Sequence, residues 1–130
     1  MNNKRLGTEF EREMCEILRE DGYWVHFMSP DNTGAQPFDI IAVKNGYAIA
    51  SDCKTSESPI FRMNRLEWNQ VSAFDYWIKC NNGNPVIWVK YKGDIYLVMY
   101  LQLKMLGKVD LRRFEPWYRG GKHDEGNVEQ

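Results

Sequence analysis

Cysteine and histidine are scarce in this sequence of 130 residues, which contains three Cys and two His. The cysteines are far apart and form no Cys-x-x-Cys pair, so neither a disulfide framework nor a zinc site is predicted. No apolar run approaches the roughly 20 residues of a membrane span, and the first residues lack the apolar core of a signal peptide. We therefore expect a reduced, cytoplasmic protein with no membrane partner; a virus-encoded protein acting inside a host cell is an open alternative.

An excess of positive charge is also absent, because 17 Lys and Arg face 18 Asp and Glu, for a formal net charge of −1. Such a balance neither indicates nor excludes a nucleic-acid partner. Basic residues do cluster locally at Lys4 and Arg5, and again at Arg62 and Arg65. Clusters of this kind are more often a solvated surface than a binding site.

An Asn-Gly pair, Asn45-Gly46, stands between two runs rich in Ile, Val, Ala and Tyr, and this pattern predicts a hairpin with a two-residue turn. Extending that register places Asp39 opposite Asp52 on one face of the strand pair. Like charges directly opposite each other destabilise a sheet. The alternative, without a functional role, is that both aspartates lie exposed at strand ends.

A divalent cation between the two carboxylates would make the arrangement favourable, since Mg²⁺ is commonly held by one or two carboxylates plus waters and phosphate oxygens. Lys54 lies two residues after Asp52 and therefore shares its face. An ammonium group there can orient a water or stabilise charge that develops on a phosphate. We expect Asp39 and Asp52 to hold Mg²⁺, with Mn²⁺ as the alternative metal.

The first helix is predicted over residues 6–21 by an apolar stripe made up of Leu6, Phe10, Met14, Ile17 and Leu18. Most of its glutamates fall opposite this stripe, and Glu11 alone falls at the border of the buried face. Glu11 is therefore the candidate third carboxylate. The alternative, without a functional role, is that Glu11 is a border residue paired with Arg12 or Arg19.

A second helix is predicted from about Asn64 to Cys80, with Asn64 and Glu67 at capping-box spacing. Gln70 falls in the middle of its apolar stripe. A buried amide must be hydrogen-bonded, so Gln70 either caps a backbone group or points into a site. The two alternatives are equally supported.

The predicted element order is αβββαββ, with strands at 23–28, in the hairpin of residues 37–54, at 86–91 and at 95–100. This order predicts an α/β fold in which a mixed central β-sheet is flanked by helices. We expect one domain over residues 1–119 and a flexible tail over 120–130. Residues 101–119 are expected to form a short helix and irregular chain, with Trp117, Tyr118 and Arg119 packed against the sheet edge.

These residues resemble a known family. Asp39, followed after thirteen positions by Asp52-Cys53-Lys54, resembles the D…(D/E)-x-K motif of the restriction-endonuclease-like nucleases. Within that superfamily, "GTEFEREMCEILREDGYWV", "PFDIIAV" and "NRLEWNQV" are similar to segments of Holliday junction resolvases of the archaeal and RecU types. The similarity covers roughly residues 4–100. The sequence departs from most such resolvases at Asp52, where they carry Glu.

The resemblance implies a metal-dependent endonuclease that hydrolyses phosphodiester bonds in four-way DNA junctions during recombination and repair. It implies catalytic roles for Glu11, Asp39, Asp52, Lys54 and Gln70, with the three carboxylates as metal ligands. A family serine before the motif strand corresponds to Ser29, which joins Lys4, Arg5, Arg62 and Arg65 as the predicted DNA contacts. Two alternatives remain open: a related nuclease that cuts flaps, nicks or duplex, and a DNA-binding module that does not cleave.

A homodimer is the expected working unit, because resolution requires two nicks and the chain carries one acidic site. The five Trp, seven Tyr and six Phe exceed what a small sheet core must bury. We expect the strands at 86–91 and 95–100 to expose an apolar patch for the second copy. The alternative is that these aromatic residues fill a monomeric core.

Overall fold

A computed structural model describes residues 3–28 and 36–120 of the chain. The helices are α1 (Asn3–Glu20), α2 (Trp68–Lys79) and α3 (Tyr100–Leu106), and two 3₁₀ turns span Met63–Arg65 and Leu111–Arg113. The strands are β1 (Trp24–Phe27), β2 (Ile40–Lys44), β3 (Tyr47–Thr55), β4 (Ile60–Arg62), β5 (Val86–Tyr91), β6 (Asp94–Met99), β7 (Lys108–Asp110) and β8 (Tyr118–Arg119).

Six strands form the central sheet in the order β1-β2-β3-β5-β6-β8, and β4 pairs with β7 in a separate two-stranded sheet. Neighbouring strands are antiparallel except β3 and β5, which run parallel. The predicted mixed sheet with flanking helices is confirmed. Among the described residues, no helix combines the length and the apolarity that crossing a membrane requires.

The hairpin formed by β2 and β3 has the predicted register, with Lys44 opposite Tyr47 and Ile40 opposite Ser51. Asn45 and Gly46 both have positive φ, at 54° and 79°. Positive φ at both central residues defines the type I′ turn, whose twist matches the twist of the flanking strands. This turn fixes which side chains of β2 and β3 share a face.

Helix α1 covers one face of the sheet with its predicted stripe. Phe10, Met14 and Leu18 are buried against Ile40 and Trp88. Leu6, the remaining predicted member near the start of the stripe, has a side chain outside the described part of the chain. Burial of this apolar stripe is what holds α1, and therefore Glu11, against the sheet.

The opposite face of the sheet is covered by α2 and by the chain that follows β6. Phe74 of α2 packs with Phe38 and Tyr100, and all three belong to a cluster that includes Ile87 and Val98 of the sheet. Asp52 lies between these two hydrophobic layers and is completely buried. The site is therefore enclosed by packed elements on both sides.

The predicted start of α2 at Asn64 is wrong. Met63–Arg65 forms a 3₁₀ turn, and the α-helix begins four residues later at Trp68 with Glu67 as its N-cap. The capping box joins Glu67 to Gln70, because each side chain is bonded to the other residue's backbone N–H. Both spacings satisfy the capping-box pattern, and tertiary packing selects the second.

The predicted apolar patch on β5 and β6 is also wrong. Residues of both strands are largely buried, including Trp88, Val89, Ile95 and Val98. Nearer the C-terminus, the predicted short helix is α3. Strand β8 pairs with β6 and forms the edge of the central sheet, while Trp117 packs on Trp88 with ring centroids 4.7 Å apart. Packing of Trp117 and Tyr118 at the sheet edge is thereby confirmed. Most of the predicted tail, residues 121–130, lies outside the described part.

Candidate active site

Asp39 and Asp52 meet where β2 begins and β3 approaches its end. The backbone N–H of Asp39 donates at 3.1 Å to the carbonyl of Ser51, the residue that also pairs with Ile40, so the regular register ends at Ile40 and Asp39 directly precedes it. The Asp39 carboxylate accepts the backbone N–H of Cys53 at 2.9 Å through Oδ2. Asp39 is 5% exposed and Asp52 is 0% exposed. The aspartates are thus buried, which removes the alternative that they lie exposed at strand ends.

The carboxylate of Asp52 is poorly compensated in its buried position. Neither of its oxygens has a hydrogen-bond partner, and Lys54 Nζ lies 3.4 Å from Oδ2 at ion-pair distance. Burial, followed by the negative charge of Asp39, raises the pKa of Asp52 well above its ordinary value, and Lys54 only partly offsets this. A site that leaves a carboxylate in this state is built for an additional positive charge.

Glu11 reaches from α1 toward this pair. Burial first, and then the charge of Asp39, raises the pKa of Glu11 to about 7, while Lys54 acts in the opposite direction. Electrostatic contact with Asp39 and Lys54 confirms that Glu11 faces the site, as the helical angle predicts. The charges that act on Glu11 come from Asp39 and Lys54, and not from Arg12 or Arg19 as in the alternative.

Sequence reasoning missed a second glutamate of α1 that reaches the sheet. The helical angle places Glu13 opposite the apolar stripe, yet its Oε1 accepts from Lys90 Nζ of β5 at 2.6 Å. Lys90 also lies over the Phe10 ring, 5.7 Å from its centroid. Lys90 has a long side chain, which reaches Glu13 although the helical angle places Glu13 away from the sheet. This pair joins α1 to β5 two residues after Glu11.

Gln70 serves as a cap in this structure. Its Oε1 accepts the backbone N–H of Glu67 at 2.9 Å, at the first turn of α2. Of the two predictions for this amide, the capping role is therefore confirmed. The cap uses the carbonyl oxygen of the amide, and a role for Gln70 in the chemistry stays a prediction.

The structure describes only some of the side chains predicted to contact DNA. Arg62 is exposed at the end of β4, and Arg65 donates to the carbonyl of Thr55, the residue after Lys54, at 2.8 Å. Arg65 therefore lies beside the end of the strand that carries the motif. Ser29 and the side chains of Lys4 and Arg5 lie outside the described part of the chain.

The carboxylates of the site are suitable ligands for a hard cation, but the possible ligands are widely spaced. Within residues 3–28 and 36–120, no three His, Cys, Asp or Glu side chains are close enough together to hold a metal as a group. Asp39 and Asp52 supply buried carboxylate oxygens, and those of Asp52 have no hydrogen-bond partner. Carboxylate oxygens are the ligands Mg²⁺ prefers when waters complete its shell. The residues therefore fit a metal held by two carboxylates, with Glu11 nearby.

The sequence of the chain matches a family model over nearly this entire fold. The model of the archaeal Holliday junction resolvases, Hjc, matches residues 2–115. The chain belongs to this family. The matched span runs from α1 through the hairpin and α2 to the end of the second 3₁₀ turn, so it includes every residue of the acidic site.

Individual relatives agree with the family. The chain is 27% identical over 104 residues to the crossover junction endodeoxyribonuclease Hjc of Methanocaldococcus jannaschii, covering 80% of this chain and 73% of that protein. Its fold is similar to the solved structure of Hjc, a Holliday junction resolvase from Archaeoglobus fulgidus. That match has a TM-score of 0.66 at 17% identity and covers 83% of this chain and 91% of the other.

Proposed function

We propose that this protein is a Mg²⁺-dependent endodeoxyribonuclease that resolves four-way DNA junctions as a homodimer. Membership of the archaeal resolvase family supports the substrate. The observation that carries the chemistry is the buried pair Asp39 and Asp52 beside Lys54, since two adjacent buried carboxylates are stabilised by added positive charge. A module that binds DNA without cutting has no need of so costly an arrangement.

Asp39 and Asp52 would hold the metal, and Glu11 would contact it directly or through a water. A divalent ion bound there supplies positive charge to the phosphate and makes water a better nucleophile; Mn²⁺ would serve in the same ligands. The N–H of Cys53 fixes one oxygen of Asp39, which leaves the other free to turn toward the ion. The backbone thereby orients one of the two ligands before substrate arrives.

Lys54 is the group of this chain placed to act on the phosphate or on the attacking water. Its ammonium lies at the open end of the acidic pair and is 17% exposed. An ammonium at this position stabilises negative charge that builds on the phosphate oxygens. Gln70 would support the water from the first turn of α2, in addition to its capping bond.

The DNA backbone would be held mainly by basic residues. Arg65 lies at the end of β3, where it donates to the carbonyl of Thr55, and Arg62, Lys4, Arg5 and Ser29 are the other proposed contacts. Each phosphate contact releases condensed counterions, so affinity should fall steeply with salt even though the net charge is −1. Residues 1–119 would act as one nuclease domain, and the free thiols of Cys15, Cys53 and Cys80 are consistent with work in the reducing cytoplasm.

Cleavage of matched DNA substrates tests this proposal. The protein is incubated with a four-way junction, a flap, a nicked duplex and an intact duplex of shared sequence, each with Mg²⁺, with Mn²⁺ and with EDTA. We expect paired nicks in the junction that require a divalent metal. Preferential cutting of flaps, nicks or duplex would identify a related nuclease, and binding without any cleavage would overturn the enzyme assignment.

A further inference from the structure

An aromatic pair is displayed on β1, the strand at one edge of the central sheet. Trp24 is 63% exposed, and the imidazole ring of His26 stacks on the same side with ring centroids 6.3 Å apart and planes 11° from parallel. The alternating residues Val25 and Phe27 point the other way and pack with the α1 cluster. Trp24 and His26 therefore form a flat surface that faces away from α1.

This surface lies on a strand that runs toward the acidic site. Trp24 pairs with Val43 and His26 with Ile41 of β2, and β2 begins directly after Asp39. Side chains of directly opposed residues point to the same face, and so do residues two apart along a strand. Trp24, His26 and Ile41 therefore share the face opposite α1, in a row that runs toward the end of β2 at which Asp39 stands.

The distance between the two features is short on the scale of DNA. The N–H of Met28 donates to the carbonyl of Asp39 at 2.7 Å, so β1 runs alongside the site. Trp24 precedes Met28 by four residues, which corresponds to about 13 Å at the usual rise of a strand. A nucleic-acid strand advances about 3.4 Å per nucleotide, so one bound DNA molecule can touch both places.

The chemistry of the surface selects a base rather than a phosphate. A tryptophan that served only the core would bury its indole, yet this one keeps most of its ring in solvent beside a second parallel ring. Aromatic faces stack on nucleobases of any sequence. Within an intact duplex both faces of each base are already covered, and a branch point uncovers some of them.

We propose that Trp24 and His26 form a stacking platform for a base exposed at the branch point of the DNA. The platform rests on the proposed function for its substrate, and it adds a source of selectivity for branched over linear DNA. Trp24 provides the larger ring, and the ring of His26 lies nearly parallel to it, with the two planes 11° apart. The stacking releases no counterions, which separates it from the grip of arginine and lysine on phosphates.

Binding measurements with paired variants test the platform. Anisotropy in EDTA, which prevents cleavage, gives Kd for a four-way junction and for a linear duplex with the same end sequences, over a range of salt. Trp24→Leu keeps an apolar strand residue but removes the ring, and Trp24→Phe keeps a smaller ring. Tyr47→Leu is the location control, because Tyr47 is an exposed aromatic residue, 55% exposed, at the start of β3.

Selective loss of junction binding is the expected result. Trp24→Leu should weaken it about fivefold to 100-fold, the effect of losing one stacked base, with an unchanged salt slope and unchanged duplex affinity. Trp24→Phe should lie between Trp24→Leu and the wild type, and Tyr47→Leu should match the wild type. Equal losses on both DNAs, or no loss in Trp24→Leu, would overturn the platform.

The outcome separates this inference from the proposed function. Wild-type protein that cuts junctions with Mg²⁺ while Trp24→Leu binds them normally would reject the platform alone. Wild-type protein that never cuts would reject the nuclease, and the binding comparison would still decide the platform. Light scattering of Trp24→Leu checks that the change has not altered the oligomeric state; a shift there together with loss on both DNAs would assign Trp24 to a protein interface.

Discussion

At the residue scale, the energetics of the site depend on Asp52, whose buried carboxylate lies beside that of Asp39. Asp52→Asn removes the charge and keeps the shape. Without divalent metal we expect the free energy of unfolding to rise by about 1–3 kcal/mol, because a buried charge that is repelled by Asp39 is removed. Cleavage should be abolished, as it should in Asp39→Asn.

Urea unfolding in EDTA and junction cleavage with Mg²⁺ measure the two effects. Asp21→Asn is the matched control, since Asp21 is exposed and paired only with Lys44 at 3.7 Å. That variant should change neither stability nor cleavage appreciably. Full cleavage by both Asp39→Asn and Asp52→Asn would refute the metal assignment.

Lys54 should matter more for the chemical step than for DNA affinity. Lys54→Ala removes a positive charge 3.4 Å from Asp52, so we expect the single-turnover cleavage rate at saturating DNA to fall at least about 100-fold. Affinity should weaken only modestly, with the salt slope changing by about one unit. Lys92→Ala, in the exposed turn after β5, is the control. A collapse of binding with an unchanged rate would make Lys54 a grip residue.

Turn geometry and strand alternation predicted the acidic site, but they could not predict the long-range contact between Glu13 and Lys90. The turn at Asn45 and Gly46 fixes the β2–β3 register, so Asp39, Asp52 and Lys54 follow from the sequence alone. The Glu13–Lys90 pair joins residues 77 positions apart. No periodicity in the sequence encodes such a distance, because it is set by how closely α1 packs on the sheet.

At the scale of elements, the start of α2 is the place where capping and chemistry can be separated. Gln70→Ala removes the acceptor for the Glu67 N–H, and we expect the free energy of unfolding to fall by about 0.5–2 kcal/mol. Gln70→Glu keeps an oxygen acceptor and removes the amide N–H₂. If Gln70 also supports catalysis, Gln70→Glu should retain stability yet cleave more slowly; equal rates for Gln70→Glu and wild type would make Gln70 a cap only.

Helices α2 and α3 are joined by a charged contact with a defined pH dependence. Asp75 accepts from Tyr100 at 2.7 Å and from Lys104 at 3.0 Å. Burial raises the pKa of Asp75, but hydrogen bonds from Tyr100 and Lys104 outweigh it, and the net pKa is lowered. Stability from the ionised carboxylate is therefore complete above the unfolded pKa near 3.8 and is lost as the pH falls through the lower folded value.

Asp75→Asn keeps an acceptor for Tyr100 and removes the charge. Because Asp75 is partly exposed, we expect it to lower the free energy of unfolding by only about 0.5–1 kcal/mol at neutral pH. The difference from wild type should shrink toward zero near about pH 3. Urea unfolding at several pH values measures this, and Glu115→Gln is the control because Glu115 is 90% exposed in its pair with Arg119. A constant difference at all pH values would contradict the assignment.

The short strands were the elements that sequence could not predict. β4, β7 and β8 contain three, three and two residues, too few for a period to be recognised. β4 pairs with β7 across more than forty residues of chain, as in Phe61 opposite Val109. Strands of this length form only because the rest of the fold places a partner strand beside them.

At the scale of the whole molecule, paired nicking requires two copies of the site. A four-way junction has two strands of like polarity to cut, and each chain carries one acidic pair. The buried strands β5 and β6 offer no apolar patch for a second copy. Exposed apolar side chains lie instead on α2 and α3, which the Asp75–Lys104 contact joins: Trp68, Tyr76, Leu101, Met105 and Leu106.

We expect a homodimer in light scattering at micromolar concentration, and we expect this α2–α3 surface to form its interface. Tyr76 and Met105 are 68% and 80% exposed, so charges at both positions should leave the monomer folded while opposing its association. The double variant Tyr76→Glu and Met105→Glu should dissociate the dimer and convert paired cleavage into single nicks. Trp24→Leu, on the opposite edge of the sheet, should remain dimeric. A wild-type protein that stays monomeric even on junction DNA would reject both the dimer and the paired-nick mechanism.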